Sequence, residues 1–113
     1  MRAAALLLAL ACAAPQVQGM QKDDALAVLV EPSPQARDAI VRALAGALGS
    51  QVMLADDALT SDSKLIIERS HLEGRDLGQP EQFVLVKNGG SCVLIHQRTQ
   101  KRYALPEASC EAR

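Results

Sequence analysis

The chain has 113 residues and a formal net charge of −1 at pH 7. A chain of this length folds as one small domain, and its nearly balanced charge carries no bulk signal for binding nucleic acid. With one Phe, one Tyr and no Trp, it essentially lacks aromatic platforms on which bases or sugars could stack, and its core must be aliphatic. No stretch indicates a specific biochemical activity, a cofactor or a metal site.

The N-terminus has the pattern of a secretory signal peptide. A positively charged start is followed by nine apolar residues at positions 3–11, a run that is too short to span a membrane and typical of an export signal. The composition, rich in Ala, Leu and Arg, suggests a bacterial source. The sequence therefore predicts a periplasmic or secreted protein.

Two cleavage sites fit this signal, one after Ala13 and one after Gly19, because each follows small residues. Pro15 would break the helix between the apolar run and the second site, which favours Gly19. We therefore predict a signal peptide at residues 1–19 and a single small domain at residues 20–113.

A lipoprotein is the alternative at this end of the chain. The run Leu8, Ala9, Leu10 and Ala11 stands before Cys12, as in a lipobox, and would make Cys12 the point of lipid attachment. Contact with a membrane is predicted only in that case.

Two cysteines remain once Cys12 is removed. In an exported chain, Cys92 and Cys110 are most simply a disulfide, closing a loop of roughly 17 residues and contributing about 3 kcal/mol in the chain-entropy model. A reactive Cys92 is the competing interpretation. It lacks the Cys-x-x-Cys spacing and the cationic neighbours that lower a thiol pKa, so a structural disulfide is predicted.

The clearest helix is predicted at residues 34–48. Ser33 is a suitable N-cap, the next residue is a proline at the first helical position, and Gly49 supplies the stop. Apolar residues recur at helical spacing within it, namely Ile40, Val41, Leu44 and Leu48.

The segments around this helix alternate between strands and turns. Strands are predicted at residues 25–30 and 64–70, with a brief one at residues 51–54. Residues 55–63 are acidic and turn-forming, and residues 71–82 form a surface loop rich in glycine and charge.

Two successive hairpins follow. The strands at residues 83–86 and 92–95 flank Asn88 and Gly89, the strongest short signal for a type I′ turn. With those two residues as the loop, Leu85 would lie opposite Cys92 and Phe83 opposite Leu94. A second turn at residues 98–101 would place Leu94 opposite Leu105 and His96 opposite Tyr103.

Side chains alternate between the two faces of this meander. The face called here the phenylalanine face carries Phe83, Leu85, Cys92, Leu94, His96, Tyr103 and Leu105. The opposite one, the valine face, carries Val84, Val86, Val93, Ile95, Gln97, Arg102 and Ala104. The predicted fold is α+β: one N-terminal helix on a mostly antiparallel sheet of five or six strands, ending in a disulfide-tied β-meander.

One helix can cover only one of these faces. The valine face would then be closed by a protein partner or by a second copy of the chain, because exposed apolar patches often mark interaction surfaces. Curling of the sheet, or the strand at residues 25–30 folding across it, would remove the patch without a partner.

Candidate catalytic residues are few. His71 lies close in sequence to Glu68 and Glu73, and His96 lies in a predicted strand beside Tyr103. Either histidine with a nearby carboxylate could serve a small hydrolase. The simpler interpretation is a solvated His71 and a hydrogen-bonded, partly buried His96.

The second half of the meander is basic. Residues 82–106 carry four bases and no acid, and with His96 they form a candidate binding set consisting of Lys87, His96, Arg98, Lys101 and Arg102. Such a set either protects strand edges from pairing or attracts an anionic partner, such as a protein or an anionic component of the cell envelope.

The function predicted from these features is that of a small exported, non-enzymatic protein that binds another protein, as an inhibitor, an immunity protein or an envelope accessory protein. The alternatives are the small hydrolase and the lipoprotein anchored through Cys12. No nucleic-acid partner is predicted.

Overall fold

The computed structural model describes residues 17–68 and 80–113. The apolar run of the predicted signal, Cys12 and the cleavage site after Ala13 lie outside the described residues. So do His71 and Glu73 and most of the loop predicted at residues 71–82. Within the described ranges, no helix has the length and apolar character needed to cross a membrane.

One helix and six strands make up the described chain. They are β1 (Asp24–Leu29), α1 (Pro34–Leu48), β2 (Lys64–Ile67), β3 (Glu81–Asn88), β4 (Ser91–His96), β5 (Arg102–Ala104) and β6 (Cys110–Ala112). The helix has the predicted ends. The Ser33 hydroxyl accepts the Ala36 N–H at 3.0 Å, and Gly49 adopts a left-handed φ of 73° and donates its N–H to the carbonyl of Ala45.

The predicted α+β class is confirmed, because α1 packs against an antiparallel sheet of six strands. Five of them follow the order β5-β4-β3-β1-β6, and β2 pairs with β3 off this path. Strand β3 is central. On one side it pairs with β4 from Phe83 to Asn88, and on the other it pairs first with β2 and then with β1. The second half of β1, residues 27–29, leaves β3 and pairs with β6, which brings the C-terminus back to the first strand.

The predicted register of the first hairpin is wrong. Asn88 pairs with Ser91, so the two-residue turn consists of the glycines between them, with Gly89 at a φ of 62°. Leu85 therefore lies opposite Leu94, two positions later than predicted. Asn88 stays in the ladder, and its side-chain amide donates to the carboxylate of Asp24 at 2.7 Å.

The second hairpin departs from the prediction in the same way. Leu94 pairs with Tyr103 instead of Leu105, and Gln100 adopts a left-handed φ of 66° in the turn. Because both errors amount to an even number of positions, every side chain keeps its predicted face.

The phenylalanine face forms the main core beneath α1. Ile40 and Leu44 of the helix are fully buried, and they belong to one apolar cluster with Phe83, Leu85 and Leu94. Leu59 and Leu105 are buried in the same cluster.

The valine face is also buried, and the expectation of an exposed patch there is wrong. Val84, Val86, Val93 and Ile95 are each at most 9% exposed and form a second cluster. Val17, which precedes β1, packs against them. Association of this face with a protein partner or a second copy stays a prediction, and it would require the segment around Val17 to be displaced.

The brief strand predicted at residues 51–54 is not formed. Instead, the guanidinium of Arg37 donates to the backbone carbonyls of Leu54, Ala55 and Asp56 at 3.0–3.2 Å. The same guanidinium pairs with the Asp56 carboxylate at 3.2 Å.

Candidate functional site

A buried acid–histidine pair lies where β3 begins and β4 ends. Phe83 pairs with His96 across the two strands, which brings Glu81 close to the imidazole. The His96 Nε2 atom lies 2.6 Å from Oε1 of Glu81, and the two side chains are 1% and 7% exposed. The ring of Phe83 stacks on the imidazole with centroids 4.5 Å apart.

Two residues of the β4–β5 turn complete this cluster. The guanidinium of Arg98 lies 3.0–3.2 Å from both carboxylate oxygens of Glu81. The hydroxyl of Thr99 lies 3.1 Å from Nδ1 of His96. Burial of Glu81 would raise its pKa, but the hydrogen bonds from His96 and Arg98 outweigh this effect and lower the pKa. The carboxylate is therefore ionised at neutral pH.

The order hydroxyl, imidazole, carboxylate is the order found in catalytic triads. Several contacts favour a structural role here. The imidazole is buried and stacked, and Arg98 engages both oxygens of the acid. The Thr99 hydroxyl also accepts the backbone N–H of Lys101 at 3.2 Å. These contacts fasten the β4–β5 turn onto the start of β3.

A second buried ion pair lies beside the valine face. Arg102 donates to both carboxylate oxygens of Asp24 at 2.8 and 3.0 Å, and the Asp24 side chain is fully buried. Asn88 and the backbone N–H of Gln21 donate to the same carboxylate. The hydrogen bond from Arg102, opposed by burial, places the pKa of Asp24 well below its usual range.

The basic residues of the candidate binding set are distributed over different surroundings. His96 and Arg98 contact Glu81, and Arg102 contacts Asp24. Lys87 lies near the first hairpin turn, at the opposite end of the strands. Lys101 is exposed, with its Nζ atom 5.5 Å from the centroid of the Tyr103 ring. The structure therefore does not bring these five residues together in one patch.

The predicted disulfide is present. Cys92 of β4 and Cys110 of β6 are bonded, with their Cα atoms 6.1 Å apart. Both residues are buried. The bond ties the C-terminal strand to the meander from the side of the main core.

A groove of about 470 Å³ runs between α1 and β5. It is lined by Ala39, Arg42, Ala43, Gly46, Arg102, Tyr103, Ala104, Pro106 and Glu107. The helix contributes small side chains at a spacing of one turn, so the groove is open enough for another backbone to approach. Arg42 and Glu107 form an ion pair at 3.4 Å within this lining.

The groove is bordered by a free strand edge. In the described sheet, β5 is the terminal strand beyond β4. The backbone bonds on either side of β5 join Lys101 and Leu105 to β4. Because ladder bonds alternate along an antiparallel strand, the N–H and C=O groups of Arg102 and Ala104 point to the open edge.

Three features of these sites were not predicted: Glu81, Asp24 and the small helix residues of the groove. No group of three or more potential metal ligands occurs within residues 17–68 and 80–113. No family model, curated protein or solved structure matches this chain. Its function must therefore be inferred from the geometry above.

Proposed function

We propose that this chain is a small exported, non-enzymatic protein that binds another protein, as an inhibitor, an immunity protein or an envelope accessory protein. The observation that carries this proposal is the groove between α1 and the free edge of β5. The occupant that fits is an extended segment of the partner, which adds a strand to the sheet beside β5.

Strand addition uses the physical chemistry of the sheet itself. An exposed edge offers unpaired backbone donors and acceptors, and an extended peptide satisfies them in the same way as a neighbouring strand. Ala39, Ala43 and Gly46 place little side-chain volume opposite that edge. A partner strand can therefore pair with β5 at its open edge, with alternate side chains directed toward α1.

The positive charge beside the groove favours an acidic partner segment. Lys101 is exposed just before β5, and its Nζ atom lies 5.5 Å from the ring of Tyr103, a residue of the groove. Among the described residues, no carboxylate forms an ion pair with it. An acidic side chain on the partner segment would pair with Lys101, which agrees with the anionic protein partner expected from the sequence.

The proposed export implies a partner outside the cytoplasm. The disulfide between Cys92 and Cys110 is of the kind that persists in oxidising compartments. Together with the signal-like N-terminus, it favours the periplasm or the extracellular medium as the place of binding.

We expect the substitution Ala104→Pro to weaken partner binding strongly. Proline removes the outward N–H of the edge and inserts a ring there, while the bonds from β5 to β4 use other residues. The measurement is affinity capture from an envelope extract of the source cells, followed by titration of the captured protein with the wild-type chain and the variant. We expect affinity to fall at least about tenfold.

The matched control is Ala112→Pro in β6. The carbonyl of Ser109 accepts the N–H of Val30, and the N–H of Arg113 donates to the carbonyl of Leu26. Because ladder bonds alternate along the strand, the N–H of Ala112 also points away from β1. This variant should bind as the wild-type chain does. Equal binding by both proline variants would contradict the groove as the binding site, and capture of no specific protein would contradict the proposed function.

A hydrolase is the second candidate, and the chain of contacts from Thr99 through His96 to Glu81 is the observation in its favour. A phosphonylating reagent for activated hydroxyls separates the two functions. We expect intact-mass spectrometry to show no adduct on the wild-type chain, because His96 is buried and Arg98 holds its carboxylate partner. An adduct on Thr99 that disappears in Glu81→Gln would support the hydrolase instead.

A further inference from the structure

Residues 17–19, which fall inside the predicted signal peptide, are integrated into the folded domain. Val17 packs on the valine face against the cluster that contains Val86 and Ile95. Gly19 lies so close to this face that an added Cβ atom would be 2.7 Å from Cγ2 of Ile95. Its φ of +83° is also one that glycine adopts without strain. The backbone is thus seated directly on the sheet.

Polar contacts hold Gln18 and Gly19 of this segment to the β4–β5 turn and to β5. Gln18 and Gln97 exchange two hydrogen bonds of 3.1 Å between backbone and side-chain atoms. The side chain of Gln100 donates to that of Gln18 at 2.8 Å. Arg102 donates to the carbonyl of Gly19 at 2.9 Å, so the segment shares the cation that pairs with Asp24.

These contacts bear on where a signal peptide can be removed. Cleavage after Gly19 would take away Val17 and the Gln18 contacts, and it would uncover the side chains of the valine face. It would also convert the carbonyl that Arg102 contacts into a carboxylate on the departing peptide. The loss would fall on a cluster whose members are at most 9% exposed.

We propose that processing occurs between Ala13 and Ala14, so that residues 17–19 remain on the mature protein. This inference rests on the export proposed above. A signal peptidase would hydrolyse that peptide bond with one water molecule, leaving a carboxylate on Ala13 and a free amine on Ala14. Ala11 and Ala13 supply the small residues that such a site requires. Pro15 favours the later site in the sequence alone, but the packing of residues 17–19 outweighs it.

The direct test is the intact mass of the full-length chain after expression in a bacterium that exports it. A periplasmic species with the mass of residues 14–113 is the expected result. A species of residues 20–113, or one that begins at a lipid-modified Cys12, would overturn the proposed site. A chain of residues 1–113 retained in the cytoplasm would overturn export itself, and the three failures are distinguished by mass and by cell fraction.

A truncation series tests whether residues 17–19 stabilise the folded domain. Chains of residues 14–113, 17–113 and 20–113 are released from a cleavable fusion and compared by thermal unfolding. The first two should unfold within about 2 °C of each other, and the third at least about 5 °C lower, as expected for the loss of a buried contact in a domain of this size. Equal midpoints for all three would show that residues 17–19 do not contribute to the fold and would contradict the proposal.

Discussion

Replacing Asp24 with Asn is expected to lower the free energy of unfolding by about 3 kcal/mol, since removing one partner of a buried ion pair leaves an uncompensated charge. The Asp24 side chain is fully buried and accepts two hydrogen bonds from Arg102. In the variant, the charged Arg102 side chain, which is 22% exposed in the wild-type chain, faces a neutral amide. The measurement is chemical denaturation at neutral pH with a two-state fit.

Asp56→Asn is the matched control for this variant. Asp56 also pairs with an arginine, but its side chain is fully solvent-exposed, so the same substitution there should leave the denaturation midpoint unchanged. A double-mutant cycle with Arg102→Met isolates the coupling. The double variant should be more stable than Asp24→Asn alone, because no charge is then left without a partner. Equal losses for Asp24→Asn and Asp56→Asn would contradict the buried pair.

The pH dependence of stability follows from the same contact. The hydrogen bond from Arg102, opposed by burial, lowers the pKa of Asp24 in the folded chain below the ordinary value of 3.8. A lowered pKa in the folded state contributes stability above the unfolded value, and this stability is lost as the pH falls below about 4. The wild-type chain should therefore lose stability over this range more steeply than Asp24→Asn. The pKa of Glu81 is also lowered in the folded chain. The free energy of unfolding of Asp24→Asn should therefore still fall with decreasing pH, although less steeply than that of the wild-type chain.

The helix could be predicted because its signals are local. Ser33, the following proline and Gly49 lie within a few positions of the ends that they determine, and the apolar spacing between them specifies the buried side. The two faces of the meander could be predicted for a similar reason, because strict alternation depends only on position along the strand.

The register could not be predicted from the turn signal. Asn-Gly favours a turn over Asn88 and Gly89, whereas the structure uses the two glycines and keeps Asn88 in the ladder. A contact distant in sequence determines this choice, since the Asn88 amide donates to Asp24, 64 residues earlier. Glu81 was missed for a different reason, because residues 71–82 were predicted to form a surface loop, whereas β3 begins at Glu81.

The covering of the valine face depends on contacts of still longer range. Gln18 contacts Gln97 and Gln100, and Arg102 contacts Asp24, at separations of 78–82 residues. Nothing in the local pattern around Val17 distinguishes a residue of the domain from a residue of the signal peptide. Only the folded sheet shows that this short segment, rather than the helix, packs on the second face.

Removal of the disulfide is the second large effect that we expect. The double variant Cys92→Ala with Cys110→Ala should lose about 3 kcal/mol of unfolding free energy in the chain-entropy model for a closed loop of this length. The bond spans 18 positions in sequence and joins β4 to β6. Chemical denaturation of the wild-type chain with and without a reducing agent should reproduce the same difference. Thiol titration of the unreduced, denatured wild-type chain should detect neither Cys92 nor Cys110.

Hydrogen exchange should show which part of the variant without the disulfide unfolds locally. Without the disulfide, β6 is held chiefly by its three pairs with β1, and the N–H of Val30 donates to Ser109 just before that strand at 2.9 Å. The Val30 amide should exchange much faster in the variant, because β6 can then separate locally without global unfolding. The His96 amide, bonded to Lys101 at the far turn at 2.9 Å, is the internal control and should lose protection only in proportion to global stability. Equal acceleration at both amides would show that the bond acts on the unfolded chain alone, and unchanged exchange at Val30 would contradict its role in holding β6.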